Sequence, residues 1–272
     1  MSVSLLADIN CRNWDMIPDP TTKHLDYHDA GRATVAMDVD YPDGASTGWH
    51  AHPRAQLLHA IEGVMTIRSE QGSWVVPPSR ALWLVAGMEH EVRMSGTVRI
   101  RTIFIDAVAI EHLPRQSCVV SVSPLLRELL VAAVSIPLDY PGHGRDARLM
   151  HLLVDEIRTA DVLPLHLPMP DEPRLRRICD SLMATPADSA TADQWAARLG
   201  VTARTVHRLF VRETGMTFAQ WRDQARLLFA LQRLAQGDRV IDVAFDCGYA
   251  SQSAFTAMFR RHFGKPPSEF YR

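Results

Sequence analysis

Arg204, His207 and Arg208 are spaced so that three side chains share one face of a helix, and arginine is the residue type that makes paired hydrogen bonds to O6 and N7 of guanine. Ser253, Thr256 and Ala257 hold the matching places of a second such face, with Gln252 beside them, able to bond a base edge or a phosphate but lacking a guanine fork. Arg260 and Arg261 follow one turn later, where phosphate contacts are expected. A different chemistry is offered by His50, His52, Gln56 and His90. Neutral imidazoles suit Zn, Fe, Ni or Cu, and an amide oxygen is a poorer fourth donor than a carboxylate.

The elements that present the two reading faces form one duplicated unit, a helix-turn-helix at Thr191 to Thr214 and again at Arg239 to Phe263. Aligning the helix starts Thr202 and Ser251, both N-cap residues, brings Val206 onto Phe255, Phe210 onto Phe259, Gly215 onto Gly264 and Trp221 onto Phe270. Upstream, Ala196 and Gly200 repeat as Ala244 and Gly248: a small residue for a close helix crossing, then a glycine to end the helix. Apolar spacing at Val206, Leu209, Phe210 and at Phe255, Met258, Phe259 buries one face of each second helix and turns the other outward. Two aligned copies set this apart from an ordinary charged bundle surface.

The segment from Pro173 to Arg272 resembles the DNA-binding domain of the arabinose-regulator (AraC/XylS) family. The residues that carry the likeness are Asp193 to Thr202 in the first unit, Asp242 to Phe255 in the second, and the tail Phe263 to Arg272. The resemblance implies a seven-helix domain whose central helix, here Phe218 to Gln236, joins two subdomains that read adjacent major grooves of double-stranded DNA. It also implies an arginine where this chain has Ala257, so that Arg204, His207 and Arg208 are expected to dominate specificity.

The first half reads as β, with short strands at Thr34 to Val39, Gln56 to Ile61, Val64 to Arg68, Trp74 to Val76, Leu82 to Val85 and Val98 to Ile105. Pro42-Asp43-Gly44, Gln71-Gly72 and Ser95-Gly96 read as turns between them, a pattern that argues for a small barrel or jelly roll. Gly44, His50, His52, Gln56 and Gly63 reproduce the spacing of the first cupin motif, with glutamine in place of its glutamate, and Gly87 to His90 resembles the second. That likeness implies histidines converging inside a barrel on one divalent transition metal. A polar pocket without metal, or glycines kept only for barrel turns, are the competing readings. His59 is expected at a surface or an interface.

Amphipathic helices are expected at Ser123 to Ile136 and Gly144 to Ala160, as cover for the core or as the contact of a homodimer. Leu163 to Pro173 is rich in proline and reads as a linker. From Asp171 onward fifteen Arg/Lys face eleven Asp/Glu, against fourteen and twenty before it, so the basic charge sits on the C-terminal part although the whole chain is −2. Four scattered cysteines, Cys11, Cys118, Cys179 and Cys247, fit a reduced cytoplasmic protein, and no long apolar run points to a membrane.

The fold class is therefore α+β in two domains, a cupin-like β-barrel followed by helices and then an all-α domain with two helix-turn-helix units. The expected division is 1–110 barrel, 111–162 helical hairpin, 163–172 linker and 173–272 DNA-binding domain. The function expected is a bacterial transcription regulator controlled by a small-molecule effector in the barrel. The alternative is a metal-dependent cupin enzyme fused to a DNA-binding domain, but no nucleophile triad, phosphate loop or assignable general acid or base supports it.

Overall fold

The computed structural model describes residues 27, 29–106, 109, 112–163 and 165–270. Cys11, Pro164, Tyr271 and Arg272 lie outside them.

One antiparallel sheet builds the first half. The strands β1 (Thr34–Tyr41) and β2 (Ala55–Ser69) flank β5 (Glu91–Ile105), and the far edge of β2 carries β3 (Gly72–Val76) and β4 (Arg80–Leu84). β4 in turn pairs with β6 (Cys118–Ser121). The named ladders run open from β1 instead of closing into a ring, and backbone bridges Ser46–Arg93 and His50–His90 sew the β1–β2 connection onto β5. The turn expected at Ser95-Gly96 is a bend within β5, and the two strands expected at Gln56 to Ile61 and Val64 to Arg68 are one strand, β2. Both runs bend where the β2–β5 register shifts between Ala60 and Val64. Gly63 permits the bend: its φ is 77°, and a Cβ there would lie 2.4 Å from the Thr97 carbonyl oxygen.

Strand alternation gives the sheet two apolar faces. Leu58, Ile67 and Val92 face the inner core, whereas Leu57, Trp83, Ile103 and Ile105 face outward. The outer face is covered by α1 (Pro124–Ala133), capped by Ser123, and α2 (Gly144–Thr159), through Leu126, Leu130, Met150 and Leu153. The hairpin thus covers core, while Leu125, Val131 and Leu152 stay exposed.

The proline-rich stretch does not run free between two bodies. Its start forms β7 (Val162–Leu163), paired with β6, and β8 (His166–Pro168), paired with β3. Proline removes one donor per residue, and a strand this short at a sheet edge tolerates that loss. β8 fits closely because β3 begins with a glycine: a Cβ on Gly72 would sit 2.3 Å from the Leu167 carbonyl oxygen and 2.6 Å from His166 Nε2. The His166 ring stacks on Trp74 with centroids 4.6 Å apart.

The rest is helical: α3 (Pro173–Ala184), α4 (Ala192–Leu199), α5 (Ala203–Thr214), α6 (Phe218–Ala235), α7 (Val240–Asp246), α8 (Gln252–Phe263) and a closing 3-10 turn, Pro267–Glu269. The central helix α6 touches α3, α5 and α7, and also β2, β3, β5 and β8. Gln232 Nε2 donates to Thr66 Oγ1 of β2 at 2.6 Å, and Trp221 Nε1 donates to the Pro168 carbonyl of β8 at 2.7 Å. One apolar cluster therefore runs from the inner face of the sheet, through Trp74 and Leu167, to Trp221 and Leu228 of α6.

Candidate functional site

The two helix-turn-helix units are built by the same local rules. The first helix of each ends with a backbone bond reaching back five residues, Val201 N–H to the Ala196 carbonyl at 3.0 Å and Tyr249 N–H to that of Ala244 at 2.9 Å. Gly200 and Gly248 hold the required left-handed φ of 66° and 77°. Thr202 and Ser251 then cap the second helices by accepting from the N–H groups of Thr205 and Ala254. Gly248 meets a further demand, since a Cβ there would come within 2.9 Å of Arg226 Nη2. That guanidinium is occupied in bonding the Pro186 and Asp188 carbonyls, which ties α6 to the chain between α3 and α4.

Val206, Leu209 and Phe210 are buried on α5, as are Phe255, Met258 and Phe259 on α8. Arg204, His207 and Arg208 are exposed on α5, and Gln252, Ser253 and Arg260 on α8, with Thr256 half-buried beside them. Both expected faces are thus turned outward. Arg212, Arg233 and Arg239 are held by Glu213, Asp238 and Asp242. Among the described residues no carboxylate is paired with Arg204, Arg208, Arg260 or Arg261. The unneutralised arginines of the domain thus include those on the two reading helices, which suits a polyanion. Phe245 points outward, 52% exposed, and the second core is made by Phe255, Phe259 and Phe270.

The second site is a cavity inside the rolled sheet. His50 and His52 lie on the β1–β2 connection and His90 just before β5; the His50–His90 bridge, with N–H to O distances of 3.0 and 2.9 Å, holds the two segments together. Ring centroids lie 4.8 Å apart for His50 and His52, 4.4 Å for His50 and His90, and 5.4 Å for His52 and His90. Their ligand nitrogens all lie within 4.8 Å of one another. Nδ1 of His50 donates to the Gly48 carbonyl and Nδ1 of His90 to that of Met88, each at 2.9 Å. Those bonds fix the tautomer and put the lone pair on Nε2. His90 Nε2 is buried and bonded to no protein atom. Burial, aided by the neighbouring His50, pushes the His90 pKa down to about 4, so at neutral pH the ring is an uncharged donor of its lone pair.

Gln56 lines the same cavity. Its Nε2 donates to Thr102 Oγ1, whose own proton goes to the Leu57 carbonyl, both at 3.0 Å. The amide is thereby oriented, and Oε1, buried and accepting no hydrogen bond from the protein, is the atom left for a ligand. Met37, Val39, Ile100 and Phe104 supply apolar wall. Three clustered imidazoles, two of them with fixed tautomers, and an oriented amide oxygen fit a borderline transition-metal ion. His59 differs from expectation: strand alternation sends it to the opposite face from Gln56 and Leu58, where it is fully buried and its Nδ1 donates to the Arg80 carbonyl at 2.9 Å.

Residues 35–163 match the AraC-like ligand binding domain, and residues 195–272 match a helix-turn-helix domain. The chain is 34% identical over 221 residues to the HTH-type transcriptional regulator NimR of Escherichia coli, a match covering 81% of each protein. It is 37% identical over 103 residues to the HTH-type transcriptional regulator RipA of Corynebacterium glutamicum, covering 38% of this chain and 31% of that protein. Among solved structures, ToxT from Vibrio cholerae aligns with 88% of this chain and 98% of its own, at 12% identity and a TM-score of 0.37.

Proposed function

Because the chain belongs to the AraC family of DNA-binding transcription regulators, with a ligand-binding domain ahead of the reading domain, we infer that its operator is read chiefly by α5 and its effector is held in the histidine-lined cavity. The observation that carries the first half is the pair Arg204 and Arg208, exposed four residues apart beside His207 and paired with no carboxylate among the described residues. The face of α8, with Gln252, Ser253 and Thr256, adds weaker base or phosphate bonds, and Arg260 holds phosphate. The central helix, roughly 27 Å long at about 1.5 Å per residue, sets the two faces on the scale of one DNA turn.

Arg204→Ala should weaken binding to a selected duplex by about 1–3 kcal/mol and leave binding to random duplex nearly unchanged. Arg260→Ala should weaken both and flatten the salt dependence. Titrations of the two duplexes at several salt concentrations measure this, and equal losses for Arg204→Ala on both would remove it from base reading.

The domain boundary we place after β8, so that 169–172 is the connection and 173–272 the reading domain. In the cavity, His50, His52, His90 and the Gln56 oxygen would hold a divalent transition-metal ion, which would supply an electrophilic centre there. We read the site as a sensor, not an enzyme: the relatives matched are named transcriptional regulators. No helix among the described residues is long and apolar enough to cross a membrane, and the cytoplasm is the compartment where such a regulator meets its operator. Leu125, Val131 and Leu152 give the hairpin an exposed apolar face on which a second copy would dock. Sedimentation over a range of concentrations checks this; a constant monomer mass would rule the dimer out.

A further inference from the structure

The cavity that holds the three histidines measures about 40 Å³. Pockets that take drug-sized organic ligands run to roughly 300–1,000 Å³, whereas a single water needs on the order of 10–15 Å³. The space thus suits an ion with a water or two and is several times too small for a molecule of a dozen heavy atoms. Its donors point the same way: the Nδ1 protons of His50 and His90 are committed to backbone carbonyls, and the buried His90 Nε2 and Gln56 Oε1 accept no hydrogen bond from the protein. With no carboxylate in the set, hard ions such as Mg²⁺ and Ca²⁺ are disfavoured.

We propose that the effector of this regulator is itself a divalent transition-metal ion of the nitrogen-preferring kind, held by His50, His52 and His90 with Gln56 Oε1 as fourth donor. The inference rests on the reading of the chain as an effector-controlled DNA binder. The cluster is built to respond to such an ion. Its ligand nitrogens lie up to 4.8 Å apart, wider than the roughly 3.4 Å between two imidazole nitrogens bound at about 2.05 Å to one tetrahedral ion. Ligation therefore draws the β1–β2 connection and the start of β5 together, and binding distinguishes two arrangements of the protein, as an effector must.

The route from the site to the reading domain is short. Two residues past His90, Val92 lines the cavity and pairs with Ile67 on β2. The residue before Ile67 is Thr66, which accepts the hydrogen bond from Gln232 of α6. Tyr41, Leu58, Val92 and Ile100, all on the cavity wall, belong to the same apolar cluster as Trp221 and Leu228 of α6. A shift of β5 against β2 is thus felt at the helix that joins the two reading units.

The test uses the full chain without a histidine tag, stripped of metal by chelation. Co²⁺ is titrated and followed by its visible absorption, Zn²⁺ is used in competition, and duplex binding is followed with DNA selected by the same chain from a random pool in stripped and loaded forms. One ion per chain is expected, and loading should change duplex affinity at least fivefold. By reciprocity, duplex should change Co²⁺ affinity by the same factor. His90→Ala should lose the ion and, with it, any change of duplex affinity on adding Co²⁺. Gln56→Glu should bind the ion at least tenfold more tightly, because a carboxylate is the better donor. Gln232→Ala should leave ion affinity intact and shrink the coupling. Absence of stoichiometric ion binding overturns the metal site, and ion binding without a change in duplex affinity overturns its role as effector. Failure to select any duplex in either form would instead overturn the DNA-binding reading beneath it.

Discussion

Trp221→Ala is expected to lower stability by about 3–5 kcal/mol, the usual cost of removing a buried aromatic side chain. Trp221 is fully buried, packs against Phe210 at 6.3 Å between centroids, and donates its indole proton to Pro168. It is at once the core of the first reading unit and the contact of α6 with β8. Against a typical domain stability of about 5–15 kcal/mol, the loss is a large fraction of the whole. Urea titration of the full chain measures it. Trp221→Phe should retain much of the apolar filling and lose about 1–3 kcal/mol, partly by leaving the Pro168 carbonyl without its donor. Val211→Ala, at a side chain 51% exposed on α5, should stay within about 0.5 kcal/mol. A loss below about 1 kcal/mol for Trp221→Ala would mean that the helix does not bind the two halves of the molecule as described.

Acid should destabilise the fold through His59. Burial pushes its pKa from 6.5 down to about 4, with Arg127 and Arg101 lowering it further and the bond to the Arg80 carbonyl opposing them. Between those two values the unfolded chain binds a proton that the folded chain refuses, so stability rises with pH through this window. The contribution is complete above pH 6.5 and is lost progressively down to about pH 4, below which it is flat. A depression of this size corresponds to about 3 kcal/mol. His90, likewise depressed to about 4, adds to the slope in metal-free protein. Denaturant titrations from pH 7 to pH 4 on wild type and His59→Asn test the assignment: the variant should show a shallower fall, and an identical slope would exonerate His59.

The reading units were legible because each of their signals is local. A cap, a small residue, a glycine and an apolar stripe fall within one turn or two, and the second copy repeats them. The histidine cluster was legible through the likeness of its spacing to the cupin motifs, since His50 and His52 lie on the β1–β2 connection, where strand alternation does not place them. What escaped was set by distant partners. Ser95-Gly96 has the composition of a turn, yet β2 lies opposite and carries β5 through it as a bend. His59 looks like any exposed polar residue until α1 covers its face of the sheet. Phe245 fits an apolar stripe but stands outside the core, which Phe270 fills from the tail. The strands β7 and β8 hide among prolines because their stability comes from the edges of β6 and β3 and from the bare backbone at Gly72, and not from any propensity of their own.

The docking of β8 on β3 also says where such a protein can be recombined. A splice at the first proline of the stretch would strip the sensor of an edge strand, uncover Trp74 and Gly72, and leave the incoming reading domain without the carbonyl that receives Trp221. Exchange of reading heads between relatives should therefore succeed only when Val162 to Pro168 travels with the sensor and the new head brings a tryptophan, or another donor, to the place of Trp221. The unit of inheritance in this architecture is then larger than the sheet itself, and new sensor and operator pairings are constrained at a seam of seven residues, Val162 to Pro168, that lies outside the lining of the histidine cavity.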